Sequence, residues 1–221
     1  MGKNVLVVAA HPDDEVLGCG GTIARHSAEG DQVSVVFMAD GVTARKGADE
    51  QAGKVRNEAM LKASEILGVQ NTYSLGFPDN RMDSIPLLDV VQSLEMLLES
   101  LKPEVIYTHH STDLNIDHRI TYQAVLTACR PVPGQVVREI YSFEVLSATD
   151  WSGQPFSPNV FVDISPYLDV KLAAVQAYEV EMRAEPHTRS MANVRRLAEM
   201  RGAGVGLWAA EGFQLVRSIV S

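Results

Sequence analysis

The chain has 221 residues, with 28 Asp and Glu against 19 Lys and Arg for a net charge of −9, and it carries two cysteines. That length buries a core without disulfides or a structural metal and fits a single domain over 1–221, while the acidic balance repels polyanions and argues against nucleic acid as a partner. No run approaches the ~18 apolar residues of a membrane span, and the first apolar stretch is too short for a signal-peptide core, so a cytoplasmic location is expected.

Residues 5–9, Val-Leu-Val-Val-Ala, are a β-rich run closed by Pro12, which predicts a core strand. Directly after it stands Ala10-His11-Pro12-Asp13-Asp14-Glu15, at the carboxyl end of that strand, where open α/β sheets hold their ligands. Helical spacing over 16–29 ends at Gly30-Asp31, and a strand follows over 33–38. A polar connection at 39–48 leads to a helix over 49–67, ended by Gly68. Strands at 72–75 and 105–108 bracket a helix over 86–101. A second polar connection, 109–116, precedes a helix over 117–129. Strand 136–143, a loop-like stretch at 147–158 with the content of a surface excursion, and strand 160–164 come next. Ser165-Pro166 opens a helix over 166–179 as an N-cap followed by proline. The alternation predicts an α/β fold, a Rossmann-like, mostly parallel sheet flanked by helices. Both long polar connections then leave the same carboxyl edge as the opening hexapeptide, the edge where function concentrates.

His11 and Asp14 are two residues apart, and Pro12 forces an extended residue before the turn, so the two side chains can meet at one point. A second polar cluster, His109-His110-Ser111-Thr112-Asp113-Leu114-Asn115-Ile116-Asp117-His118-Arg119, follows strand 105–108. Asp117 or Asn115 can open the next helix and place His118 in its first turn. If strands one and four are neighbours, His118 arrives opposite His11 and Asp14. Two imidazoles, one carboxylate and an open position form the catalytic zinc pattern. The bland alternatives are a helix cap for Asp13-Asp14 and a surface helix position for His118. Cys19 and Cys129 show no CxxC spacing and read as small buried residues inside helices, in keeping with a reducing compartment. Arg45-Lys46, Lys54 with Arg56, and Arg195-Arg196 read as solvated faces or single-phosphate grips.

The hexapeptide with Gly18 and Gly20-Gly21, together with Asn115-Ile116-Asp117-His118-Arg119, resembles the LmbE-like/PIG-L family of zinc-dependent N-acetylglucosaminyl deacetylases. The resemblance extends to Arg56 and Glu58, Leu67-Gly68, Gly76-Phe77-Pro78-Asp79-Asn80, and Arg201-Gly202 through Ala210-Glu211-Gly212-Phe213. It implies His11, Asp14 and His118 as zinc ligands, with Fe2+ as an alternative metal, and Asp13 as general base. It further implies Arg56 and Asp79 as binders of sugar hydroxyls near an acetamide, and a homo-oligomer. An ion pair between helix and loop is the other reading of Arg56 and Asp79.

Chemistry supports the division of labour, because side chains of adjacent residues diverge and Asp13 stays free to take a proton from water. One departure from a common form of the family stands out. A histidine is usual three residues before the metal-binding His, and this chain has Asn115, an amide that can donate a hydrogen bond but cannot carry a proton. The proton then comes back from Asp13, or from His110 or His187, although Pro186-His187-Thr188-Arg189 also reads as a loop into a helix, and Asp117 reads as a cap or an orienting group. Gly18 and Gly20-Gly21 do not form a GxGxxG fingerprint and read as close helix–sheet packing. The expected activity is removal of an N-acetyl group from an N-acetylglucosamine-type sugar or glycoconjugate precursor. A non-haem iron(II) oxygenase, which uses the same donor set, and a non-catalytic sugar- or metal-binding protein of this fold are the competing readings.

Overall fold

In the computed structural model, which describes residues 2–44 and 50–220 with the side chain of Glu50 omitted, the first strand β1 (Asn4–Ala9) is buried on both faces. A strand that is apolar and buried from Val5 to Ala9 belongs in the middle of a parallel sheet covered by helices on both sides. It pairs in parallel with β2 (Gln32–Ala39) on one side and β4 (Val105–His109) on the other. Val5, Val7 and Ala9 enter one core layer; Leu6 and Val8 enter the other. Each such side chain contributes roughly 1.5–3 kcal/mol by leaving water.

The full order is β3-β2-β1-β4-β5-β7-β6, with β3 (Asn71–Phe77) and β6 (Val160–Asp163) at the edges, where the strands are only partly covered. β5 (Glu139–Phe143) continues the parallel set, while β7 (Ala210–Ser218) runs antiparallel to both β5 and β6. Helices α1 (Asp14–Glu29), α2 (Glu50–Leu67) and α5 (Leu168–Ala177) pack on one face, and α3 (Leu87–Leu101) and α4 (Ile116–Ala128) on the other. The chain winds outward through β2 and β3, then crosses through α3 to β4 on the far side of β1. That reversal opens a crevice at the carboxyl ends of β1 and β4.

The mostly parallel α/β architecture is as expected, with three local differences. The helix anticipated over 166–179 is broken into a 3-10 turn at Ser165–Tyr167, α5, and a second 3-10 turn at Glu179–Glu181. Ser165 does not cap it, because its hydroxyl is bonded to Asp163 at 2.6 Å. Helix α6 (Met191–Ala203) follows the loop at 186–189 as expected, whereas β7 was not anticipated, and Val136 and Val137 precede β5 rather than join it. Cys19 and Cys129 are buried, the first at a kink in α1 and the second just past the end of α4. Close packing explains two glycines of α1: a Cβ on Gly18 would collide with the Phe143 ring, and one on Gly21 would lie 2.7 Å from Ile164.

Candidate active site

The turn between β1 and α1 sets the site. Asp13 adopts φ 119°, left-handed backbone that is uncommon outside glycine. Its N–H donates to Glu15 Oε2 at 2.9 Å, and its carbonyl accepts the N–H of Leu17 at 3.1 Å as α1 begins. Asp13 makes no side-chain cap. The twist sends the two neighbouring carboxylates apart, Asp14 inward and Asp13 toward the crevice wall.

Inside, the Asp14 carboxylate meets three imidazoles, the most distant being His109, whose Nε2 lies 3.5 Å from Asp14 Oδ2. The same Oδ2 lies 3.3 Å from His11 Nδ1 and 3.2 Å from His118 Nε2, and also accepts the backbone N–H of His11 at 2.8 Å. Asp14 Oδ1 is buried without a partner. The far nitrogens of the His11 and His118 imidazoles each face another carboxylate: His11 Nε2 lies 3.0 Å from Asp117 and 3.2 Å from Asp79, and His118 Nδ1 lies 3.1 Å from Asp113. Those carboxylates are held in turn. Asp117 accepts backbone N–H groups from Asn80 at 2.7 Å and Met82 at 3.0 Å, and Asp113 accepts the Thr149 hydroxyl at 2.7 Å. Asn115 is the N-cap of α4, accepting from Asp117 N–H at 2.8 Å, and its amide donates to Asn80 at 3.1 Å.

Electrostatics follow from this crowding. Burial alone would lower the pKa of both imidazoles, but Asp117, Asp14 and Asp79 raise His11 well above its usual value, and Asp14 with Asp113 raises His118 to about 9. Asp14 is pulled well below the usual carboxylate range by His118, His109 and His11 against the opposing effect of burial. His109 is different. Burial and the neighbouring His118, on which it stacks at 3.9 Å, depress it to about 3, and its Nε2 accepts the N–H of Ala10 at 2.8 Å.

The outward carboxylate, Asp13, lies 2.8 Å from Arg189 and 3.2 Å from Arg56, and Arg56 also pairs with Glu181. Burial raises the Asp13 pKa and the two guanidinium groups oppose that rise. Asp13, Arg56, Asp79, Asn115, His11 and His118 all line one cavity of about 710 Å³. The structure therefore brings the anticipated metal donors together and sets the anticipated base and hydroxyl binders beside them. It does not bring in His110, whose Nε2 is 2.6 Å from Gln214 and whose ring packs edge-on against Phe156. His187 is held by the Arg189 N–H at 3.0 Å and the edge of Trp151. Neither lines the cavity.

Arg56 and Asp79 do not pair with each other, since Arg56 is taken by Asp13 and Glu181. The stretch at 147–158 is more than an excursion, because Ser147, Ala148 and Trp151 wall the cavity. Arg195 and Arg196 pair with Asp169 and Glu185, and Lys54 is exposed; Arg45-Lys46 lies outside the described residues. Asp113, Arg189 and Glu181 had no sequence signal beyond being charged; Asp113 alone sat within a cluster already singled out.

The donor set fits a divalent metal. Donors about 2.0–2.1 Å from a tetrahedral ion stand about 3.3 Å from one another, which matches the two Asp14 spacings. The partnerless Oδ1 and the carboxylates behind each imidazole are further marks of such a site. Among the described residues no helix is long and apolar enough to cross a membrane.

Residues 6–129 match the family described as PIG-L: GlcNAc-PI de-N-acetylase. An uncharacterized deacetylase of Escherichia coli K12, YaiS, is 33% identical over 80% of this chain and 91% of its own. The diacetylchitobiose deacetylase of Thermococcus kodakarensis is 26% identical over 98% of this chain and 84% of its own. The crystal structure of the 4-carboxy-2-hydroxymuconate hydratase of Pseudomonas putida KT2440 superimposes with a TM-score of 0.77 at 26% identity, covering 99% of this chain and 98% of that one. With more than half of its length inside the family match, this chain belongs to the PIG-L family of deacetylases and is an enzyme of that class.

Proposed function

We propose that the protein is a zinc-dependent hydrolase that removes the acetyl group from a 2-acetamido sugar. The observation that carries this reading is the buried Asp14 carboxylate, with one oxygen facing the His11 and His118 imidazoles and the other unpartnered, next to Asp13, which lines an open cavity with both histidines. His11, Asp14 and His118 would hold the metal, with Fe2+ as the alternative for the same donors. When bound, the metal supplies Lewis acidity, polarising an amide carbonyl and lowering the pKa of water to about 7.

Asp13 takes the proton of the attacking water, held in place for that task by Arg189 and Arg56. Asp79 and Arg56 orient sugar hydroxyls. Asn115 offers hydrogen bonds to the oxygen that gains charge but no proton, so Asp13 returns its proton to the nitrogen as the C–N bond breaks. Asp113 and Asp117 hold the two imidazoles in orientation from behind.

The hydratase similarity raises a second reading, addition of water to a carboxylated substrate. Such a substrate calls for unspent cations, whereas Arg56 is neutralised by Asp13 and Glu181, and Arg189 by Asp13. Mass spectrometry of a panel of acetamido sugars incubated with the enzyme, with and without a chelator, separates the two. Free amine and acetate that vanish with the chelator support deacetylation. Absence of acetate across the panel, with a carboxylated alkene gaining the mass of water, would establish the hydratase.

A further inference from the structure

Asp13 is gripped at two levels, and both grips lead to one residue behind the cavity wall. Its backbone, left-handed at φ 119°, is held by the N–H bond to Glu15 Oε2 at 2.9 Å. Its carboxylate is held by Arg56 and Arg189. Glu15 is buried, and its other oxygen, Oε1, accepts the hydroxyl of Tyr178 at 2.6 Å. The Arg56 guanidinium lies over the ring of the same Tyr178, 5.8 Å from its centre, within the reach of a cation–π contact. Tyr178 stands just past the end of α5, a helix packed against both α1, which carries Glu15, and α2, which carries Arg56. The turn that follows, in which the Glu181 N–H donates to Tyr178 O at 2.8 Å, brings the Glu181 carboxylate to Arg56.

Packing alone does not call for these groups. A phenylalanine would fill the same fully buried place, and a carboxylate as deep as Glu15 costs stability unless its oxygens are bonded. Backbone in an unfavoured conformation persists only where its surroundings over-determine it. We infer that Tyr178 is a positioning residue for the reaction. Through its hydroxyl and Glu15 it fixes the backbone of Asp13; through its ring and Arg56 it steadies the carboxylate, so that the proton-accepting oxygen stays aimed at the cavity. This rests on the role of Asp13 proposed above. Tyr178 is 163 residues from Glu15, does not line the cavity and lies beyond the residues 6–129 that match the family.

Tyr178→Phe tests the inference, because it removes the hydroxyl and keeps the ring beside Arg56. In metal-free protein carrying isotopically labelled aspartate, the Asp13 amide is identified by its loss in Asp13→Asn. Its hydrogen exchange should be about tenfold faster or more in Tyr178→Phe, as expected of a local opening. The Asp117 N–H, held by Asn115 on the other side of the cavity, should keep its rate. In turnover, kcat should fall by roughly ten- to a hundredfold, the effect of a slightly misplaced reacting group, with KM near that of the parent. In an Asp13→Asn background the same change should have little further effect on kcat, because it acts through Asp13. Glu15→Gln, whose amide can still accept from Asp13 and donate to the Tyr178 oxygen, should lose less than Glu15→Ala. Unchanged exchange at Asp13, or equal acceleration at Asp13 and Asp117, would overturn the positioning role. So would a loss in kcat that adds in full to that of Asp13→Asn. The exchange result needs no turnover, so absence of acetate from every sugar tested, with Asp13 exchange accelerated as expected, would count against the deacetylase reading alone.

Discussion

Two buried charged clusters flank α1, and they differ in how completely their atoms are satisfied. Under the helix, Glu211 Oε1 accepts the Gly21 N–H at 2.9 Å and the Lys171 ammonium at 2.5 Å, and Oε2 accepts the Thr22 N–H at 2.7 Å and its hydroxyl at 2.6 Å. Lys171 also donates to Leu17 O at 2.9 Å. At the N-terminus of the same helix, Asp14 has one oxygen crowded by imidazoles and the other with no partner. A carboxylate with both oxygens engaged stabilises a fold; one left open in a buried place points to a missing ligand. Burial and charge alone do not separate structure from site.

The largest effect is expected from opening the closed cluster. Glu211→Ala leaves the Lys171 ammonium buried without its partner and should lower unfolding free energy by ~3–5 kcal/mol, read from urea titration; a loss under ~1 kcal/mol would remove the contrast between the clusters. Next comes Asp13→Asn, which keeps the shape of the turn and removes the proposed base. It should lower kcat by ~10²–10⁴-fold while metal content by plasma emission stays as in the parent enzyme. Asp113→Asn should weaken metal affinity by ~10–100-fold, measured by competition with a chromogenic chelator, because His118 loses the carboxylate behind it.

The smallest effect is on pH. In the metal-free protein His118 titrates at about 9, so below that value metal must displace its proton. Affinity should therefore rise with pH toward about 9 and fall on acidification, by roughly tenfold per pH unit for the His118 proton and more steeply where His11, whose pKa is also raised, must lose its own. An affinity flat between mildly acidic and mildly alkaline buffer would contradict this coupling.

The parallel half of the fold was legible because its signals are local: apolar runs at 5–9, 33–38 and 105–108 and helical spacing between them. The same locality exposed His11, Asp13 and Asp14 in one turn. His118 needed only the inference that β1 and β4 are neighbours, which the sheet order bears out. The antiparallel strand β7 escaped because it is not a clean apolar run and its partners are distant in sequence. Arg189 meets Asp13 across 176 residues, and no spacing rule reaches that far. His110 misled for the opposite reason: it neighbours His109, yet strand alternation turns the two away from each other, His109 toward His118 and His110 toward Gln214.

The open cluster around Asp14 is the proposed metal centre. Its most direct test is metal analysis of the enzyme after equilibration with zinc and removal of excess, alongside His118→Ala and Asp14→Ala with circular dichroism confirming that both remain folded. The expected result is one zinc per chain in the parent and essentially none in either folded variant. Zinc retained by both variants at the parental stoichiometry would place the metal elsewhere and contradict the account.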